Sequence, residues 1–177
     1  MTEASLAELQ ARVQLHDDER SIVRVLYRYA HALYAGERTD FLACWTEDAE
    51  FEHVRHGQRY VGQDQLGEFF DGVSHAPDAF HKHVVIEPMI EVSGDEARCV
   101  SDFLFVQDLP SRGGPYISHF GRYIDRLVRG DDGRWRLARR RVFTEGAAAG
   151  PGVSATTHTP DDPEGSAPRI AHPGPDD

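Results

Sequence analysis

The feature that most constrains this chain is a change of hydrophobic period near residue 80. Before it, apolar residues recur at helical spacing: Leu6, Leu9 and Val13, then Ile22, Val23, Leu26, Tyr27, Ala30, Leu33 and Tyr34, and later Leu66, Phe69, Phe70 and Val73. After it the period falls to two, predicting four long strands at about 81–92, 96–108, 116–129 and 134–143, with turns at SGDE, PSRGGP and GDDG. Asp17 or Asp18 in HDDERS is placed to cap a second helix, and Gly36 to end it. Thr39 or Asp40 would cap a short helix through FLACW, with Leu42 and Trp45 facing inward, and residues 49–61 read as a hairpin turning at Gly57. Helices first and an antiparallel meander second predict an α+β domain, with the helices on one face of a curved sheet.

The period also sets the boundaries. The last 32 residues hold six of the ten prolines, no Phe, Trp or Tyr, and one basic residue against five acids. Such a segment buries too little apolar surface to offset its ordering entropy. The expectation is a folded domain over 1–145 and a disordered Pro/Gly/Ala/Asp-rich tail over 146–177, which removes functional weight from His158 and His172.

Charge narrows the partners. A formal net charge of −11 opposes phosphate backbones and anionic membranes, so neither nucleic acid nor membrane is expected. The one basic cluster, Arg136 with ARRRV at 138–142, falls in a strand pattern, where it either solvates an edge or pairs with carboxylates. Cys44 and Cys99 are far apart in apolar surroundings and read as reduced, buried thiols. With neither a signal-like N-terminus nor a long apolar run, the expectation is a cytoplasmic protein.

The stretch HKHVVIEPMIEVSG, from residue 81, carries the most chemistry. On a strand His81, His83, Val85 and Glu87 share one face, so two histidines and a carboxylate could hold a transition metal. That spacing resembles the first motif of the cupins. Against it, His75 stands where a glycine is expected, GGPYISHFGRY lacks the rest of a second motif, and a mostly helical segment precedes the stretch. No phosphate-cradling loop or G-x-S-x-G elbow is present, and no cofactor is expected.

Three segments in order, VLYRYAHALYAGERTDFLACWTEDAEFE (25–52), HKHVVIEPMIEVSGDEARCVSDFLF (81–105) and GRYIDRLVRGDDGRWRLARRRV (121–142), resemble the SnoaL-like, scytalone-dehydratase-like branch of the nuclear-transport-factor-two-like superfamily. The resemblance implies a cone: a strongly bent, mostly antiparallel sheet with N-terminal helices packed over a central pocket. It places the dehydratase histidine on His83, a general acid/base near neutral pH. The carboxylate of that family's dyad falls on Tyr34, a phenol that can donate a hydrogen bond but cannot orient an imidazole as an anion does. His31 lies one turn earlier. By the same resemblance His53 and Asp108 are further catalytic candidates, and Tyr29, His119, Gly121 and Tyr123 would bind substrate, Gly121 by leaving room for it.

These readings imply a cofactor-independent enzyme that performs dehydration, isomerisation or cyclisation on a hydrophobic polycyclic or polyketide-like molecule. The alternatives are a ligand-binding or assembly subunit, like the small subunits of ring-hydroxylating dioxygenases, and a cupin-like metal protein. Fold alone does not choose among them. A homodimer through the outer sheet face is common among look-alikes.

Overall fold

The computed structural model describes residues 3–109 and 114–147. The expected tail from residue 148 onward and the centre of the PSRGGP turn lie outside the described residues. The chain opens with α1 (Glu3–Ala35) and α2 (Arg38–Leu42), continues through β1 (Trp45–His53), a 3-10 turn (Val54–His56), β2 (Gln58–Val61) and α3 (Gly62–Asp71), and ends in β3 (His81–Ser93), β4 (Glu96–Leu109), β5 (Gly114–Arg129) and β6 (Trp135–Ala147). The six strands form one curved sheet in the order β2-β1-β6-β5-β4-β3. The pairs β3–β4, β4–β5 and β5–β6 are antiparallel, as the meander predicts, whereas β1 joins β6 in parallel.

Two helices were expected before Gly36, and one 33-residue helix forms instead. Neither glycine nor proline interrupts residues 3–35. Asp18 does not cap: it is buried, and its Oδ1 accepts from Trp135 Nε1 at 3.0 Å and from Arg129 Nη1 at 2.7 Å. The helix passes through because the carboxylate is used across the fold rather than on its own backbone. Asp18→Ala would leave a buried indole N–H without an acceptor, a loss of about 1–3 kcal/mol readable by urea denaturation. Residues 5–17 of α1 are exposed, Leu6, Leu9 and Val13 included. The second half carries the core stripe Ile22, Leu26, Tyr29 and Leu33, each at most 2% exposed. Burial of an aliphatic or aromatic side chain is worth about 1.5–3 kcal/mol. Gly36 ends the helix at φ 78° as expected, but α2 starts at Arg38 behind Glu37, without a side-chain cap from Thr39 or Asp40.

The hairpin of β1 and β2 turns at Gly57, whose φ of 61° suits glycine. Trp45, Phe51, Phe41 and Leu66 pack beneath α1, and Cys44 and Cys99 are free and buried. The basic cluster lies on β6, a strand with neighbours on both sides, so it is not at an edge. Arg136 pairs with Asp132 at 2.7 Å and Arg141 with Glu52 at 3.0 Å, while Arg140 turns into the core.

Alternation along β3 breaks at a bulge between Ile86 and Met89, next to Pro88, where Glu87 has φ 45° and is exposed. The expected common face of His81, His83, Val85 and Glu87 therefore loses its carboxylate.

Candidate active site

The concave face of the sheet, the second half of α1 and α3 enclose a cavity of about 240 Å³. Its walls are mostly aromatic: Tyr29 and Tyr34 from α1, Phe51 from β1, Phe69 from α3, Phe105 from β4 and Tyr123 from β5. Four histidines also line it, His53 at the end of β1, His81 and His83 at the start of β3, and His119 on β5. Strand parity supplies His81 and His83 together, because residues two apart point the same way.

One polar contact organises this space. The Tyr34 hydroxyl and His83 Nδ1 lie 2.6 Å apart, and the His83 ring stacks on Phe105 with centroids 4.5 Å apart. Among the described residues, the covered side-chain N and O atoms without a partner are Trp45 Nε1, His81 Nδ1, Ser101 Oγ and Arg140 Nη1. His83 Nε2 is not one of them and has no bond to a described residue, so it opens on the cavity. Tyr34 thus fixes the inner ring nitrogen and leaves the outer one for a ligand.

The surroundings keep both groups neutral. Burial drives the Tyr34 phenol far above its usual value, with Tyr29 and Tyr123 adding to the shift. Burial holds His83 well below 6.5, reinforced by His119 and Arg140. His53 and His119 are each pulled down to about 4, first by burial and then by nearby cationic or protonatable groups, His56 foremost. A neutral imidazole has one donor and one acceptor nitrogen, and a neutral phenol serves its neighbour in either sense. Nε2 can therefore present a lone pair or an N–H, according to which way the Tyr34–His83 proton points.

A SnoaL-like domain model matches residues 14–141. The chain belongs to the SnoaL-like family. No curated protein matches it. Among solved structures it is similar to a protein of unknown function from Mycobacterium tuberculosis, at 28% identity over 80% of this chain and 79% of that one, with TM-score 0.68. It is also similar to a nuclear-transport-factor-two-like protein with a cystatin-like fold from Novosphingobium aromaticivorans, at 22% identity over 77% and 88% of the two chains, with TM-score 0.70. A third, provisionally assigned as a scytalone dehydratase and from the same organism, shares 23% identity over 94% and 99%, with TM-score 0.61. These likenesses establish the nuclear-transport-factor-two-like cone.

Within this SnoaL-like cone, His83, Tyr34, His53, Tyr29, His119 and Tyr123 come together around the cavity. Asp108 does not: it is exposed on β4 opposite Pro115 and outside the lining. Gly121 does not leave room for a ligand either, since a Cβ there would run into the Phe143 carbonyl of β6. The space is taken by the neighbouring strand. His31 is exposed on α1. His81 lines the cavity half-buried, its Nδ1 without a partner. With Glu87 turned out, no group of three or more His, Cys, Asp or Glu among the described residues is arranged to hold a metal.

Sequence reasoning missed the polar pair behind the cavity. Arg140 donates from Nε and Nη2 to the two Asp125 oxygens at 2.8 and 2.7 Å, and its guanidinium lies 4.3 Å from the Tyr29 ring centroid and 4.1 Å from that of Tyr123. The two residues face each other in the β5–β6 register. A charged residue at an inward position on each strand was the available signal.

Proposed function

We propose that this SnoaL-like protein is a proton-transfer enzyme, a dehydratase, isomerase or cyclase, whose substrate is a hydrophobic ring compound of the polyketide type. The observation that carries the reading is the neutral Tyr34–His83 pair inside an aromatic cavity, with His83 Nε2 turned toward the space. The provisional scytalone dehydratase among the structural neighbours agrees with it.

In the base-competent arrangement His83 Nδ1–H donates to the Tyr34 oxygen, and the Nε2 lone pair takes a proton from substrate carbon. The C–H electrons become the new C=C bond or an enolate, and imidazolium forms. Nε2–H then protonates the leaving hydroxyl, released as water, or another carbon or oxygen of the substrate, and neutral imidazole returns. A phenol stabilises imidazolium less than a carboxylate does, and the surroundings of His83 already disfavour its positive charge. Such a weak base suits a carbon acidified by an adjacent carbonyl. The aromatic walls limit the water that could quench the carbanion.

The test is α-proton exchange of 2-tetralone, a bicyclic ketone, in heavy water followed by NMR. Wild-type protein should accelerate exchange above the buffer rate. Bound ketone without acceleration would instead indicate a ligand-binding module. Tyr34→Phe should lower the rate by about tenfold or more through loss of the bond that orients His83, yet lower stability by only about 1 kcal/mol. An unchanged rate would remove Tyr34 from the mechanism.

A further inference from the structure

The first half of α1 stands outside the domain that its second half closes. Asp18 meets Arg129 and Trp135 where β5 turns into β6, and every residue from 5 to 17 ahead of it is exposed. An unsupported helix of that length is marginal in water, and this one carries Leu6, Leu9 and Val13 in the open. Their spacing continues along the helix. Leu6, Leu9, Val13, His16, Arg20, Val23 and Tyr27 alternate steps of three and four residues, the first and fourth positions of successive heptads. This seam lies opposite the core stripe, because nine residues make about two and a half turns. Leu9, Val13 and Arg20 therefore stand across the helix from the buried Asp18, Ile22 and Tyr29. Leu6, Leu9, Val13 and Tyr27 are 42 to 53% exposed, and Val23 is half-buried.

We propose that this outer face of α1 is a coiled-coil seam whose partner is α1 of a second copy of the chain, parallel and in register. Charge selects that partner. The positions flanking the seam carry Arg12 and Glu19 on one side and Asp17 and Arg24 on the other. Across a parallel pair the two sides meet five residues apart, so Arg12 faces Asp17 of the partner subunit and Glu19 faces Arg24 of the partner subunit. Two-fold symmetry makes each contact twice, and all are between opposite charges. Among the described residues Arg12, Asp17 and Arg24 make no ion pair within their own chain, and Glu19 reaches only His16 Nδ1, at 3.6 Å. An antiparallel pair that matched Arg12 with Glu19 would lay Leu9 on Arg20, whereas the parallel register lays apolar on apolar at Leu6, Leu9, Val13, Val23 and Tyr27. Val13 at a first position and Leu9 at a fourth suit two strands. His16 and Arg20 weaken the middle of the seam, where polar residues fix the register and the long arginine stem carries its charge outward. The seam faces away from the cavity, so it holds whether or not His83 is a base.

The test is sedimentation equilibrium of the full chain. Wild-type protein should sediment as a dimer or a multiple of one. Leu9→Glu with Val13→Glu, at two exposed sites where the single chain loses no core packing, should halve that mass. Arg12→Glu should raise the dissociation constant by about tenfold or more, because it turns two attractive contacts into carboxylate repulsion. Adding Asp17→Arg to it reverses both members of each pair and should return the constant to within about threefold of wild type. Positions 12 and 17 do not face each other on one helix, so that recovery reports contact between two chains. It also reports their direction, since an antiparallel pair would leave the new glutamate against Glu19. The proposal is overturned if the wild-type chain is a monomer, if Arg12→Glu leaves its association unchanged, or if Asp17→Arg fails to rescue Arg12→Glu. Survival of the full mass in Leu9→Glu with Val13→Glu would assign the pairing to the sheet face and overturn it too.

Discussion

His83→Asn is expected to slow α-proton exchange by about 10²–10⁴-fold, the range carried by a positioned general base. The variant should remain folded. His83 is neutral, and its hydrogen bond among the described residues is to Tyr34, so the stability cost should be about 1–2 kcal/mol by urea denaturation. A loss under tenfold would take the chemistry away from Nε2. The pH profile adds a second check. Because His83 is held well below 6.5, the wild-type rate should stay level as pH falls through that value and decline only at lower pH. Stability should respond differently. His53 and His119 have folded values near 4 against about 6.5 when unfolded, so the unfolded chain binds more protons between those limits. Their contribution is complete above about pH 6.5 and is lost as pH falls toward 4. Urea midpoints that rise on acidification through this window would contradict the neutral histidine cluster.

Arg140→Met should be the most destabilising single substitution, at about 3–5 kcal/mol, because it strands the Asp125 carboxyl in the core. Replacing both members, Arg140→Met with Asp125→Leu, should recover most of that loss, so a double-mutant cycle by urea denaturation would show strong coupling. The single variant also carries a pH signature. Burial raises Asp125, and without Arg140 pulling it back the carboxyl would take up a proton on folding. A folded value above the unfolded one makes Arg140→Met least impaired at acid pH and progressively weaker as pH rises through the folded value. Additive effects of the two substitutions, or a pH-independent deficit, would mean that the pair is not a buried charge couple.

Several parts of the site were legible in the residues. The period change near residue 80 located the meander, and parity on β3 turned His81 and His83 to one side. Tyr34 was traced to the family's carboxylate position by resemblance, and it is the residue that meets His83. Other parts were not legible. Glu87 shares the parity of His83 only until the bulge, and a bulge depends on how β4 pairs across it. Asp18 looks like a helix cap in any local window, yet besides Gln14 on the same helix its partners are 111 and 117 positions away. Gly121 looks like room for a ligand until β6 is laid beside it.

By itself, then, the sequence determined what depends on near neighbours: helices before strands, the turn glycines Gly36 and Gly57, and the two histidines on one strand face. These follow from backbone sterics and side-chain alternation within a few residues. Only the tertiary structure decided which long-range groups meet. The parallel pairing of β1 with β6, the closure of α1 over the cavity and the Arg140–Asp125 pair behind it join residues that local periodicity leaves independent. Their convergence is set by sheet curvature and by burial, which bring four histidines to one cavity and two charges into the core behind it.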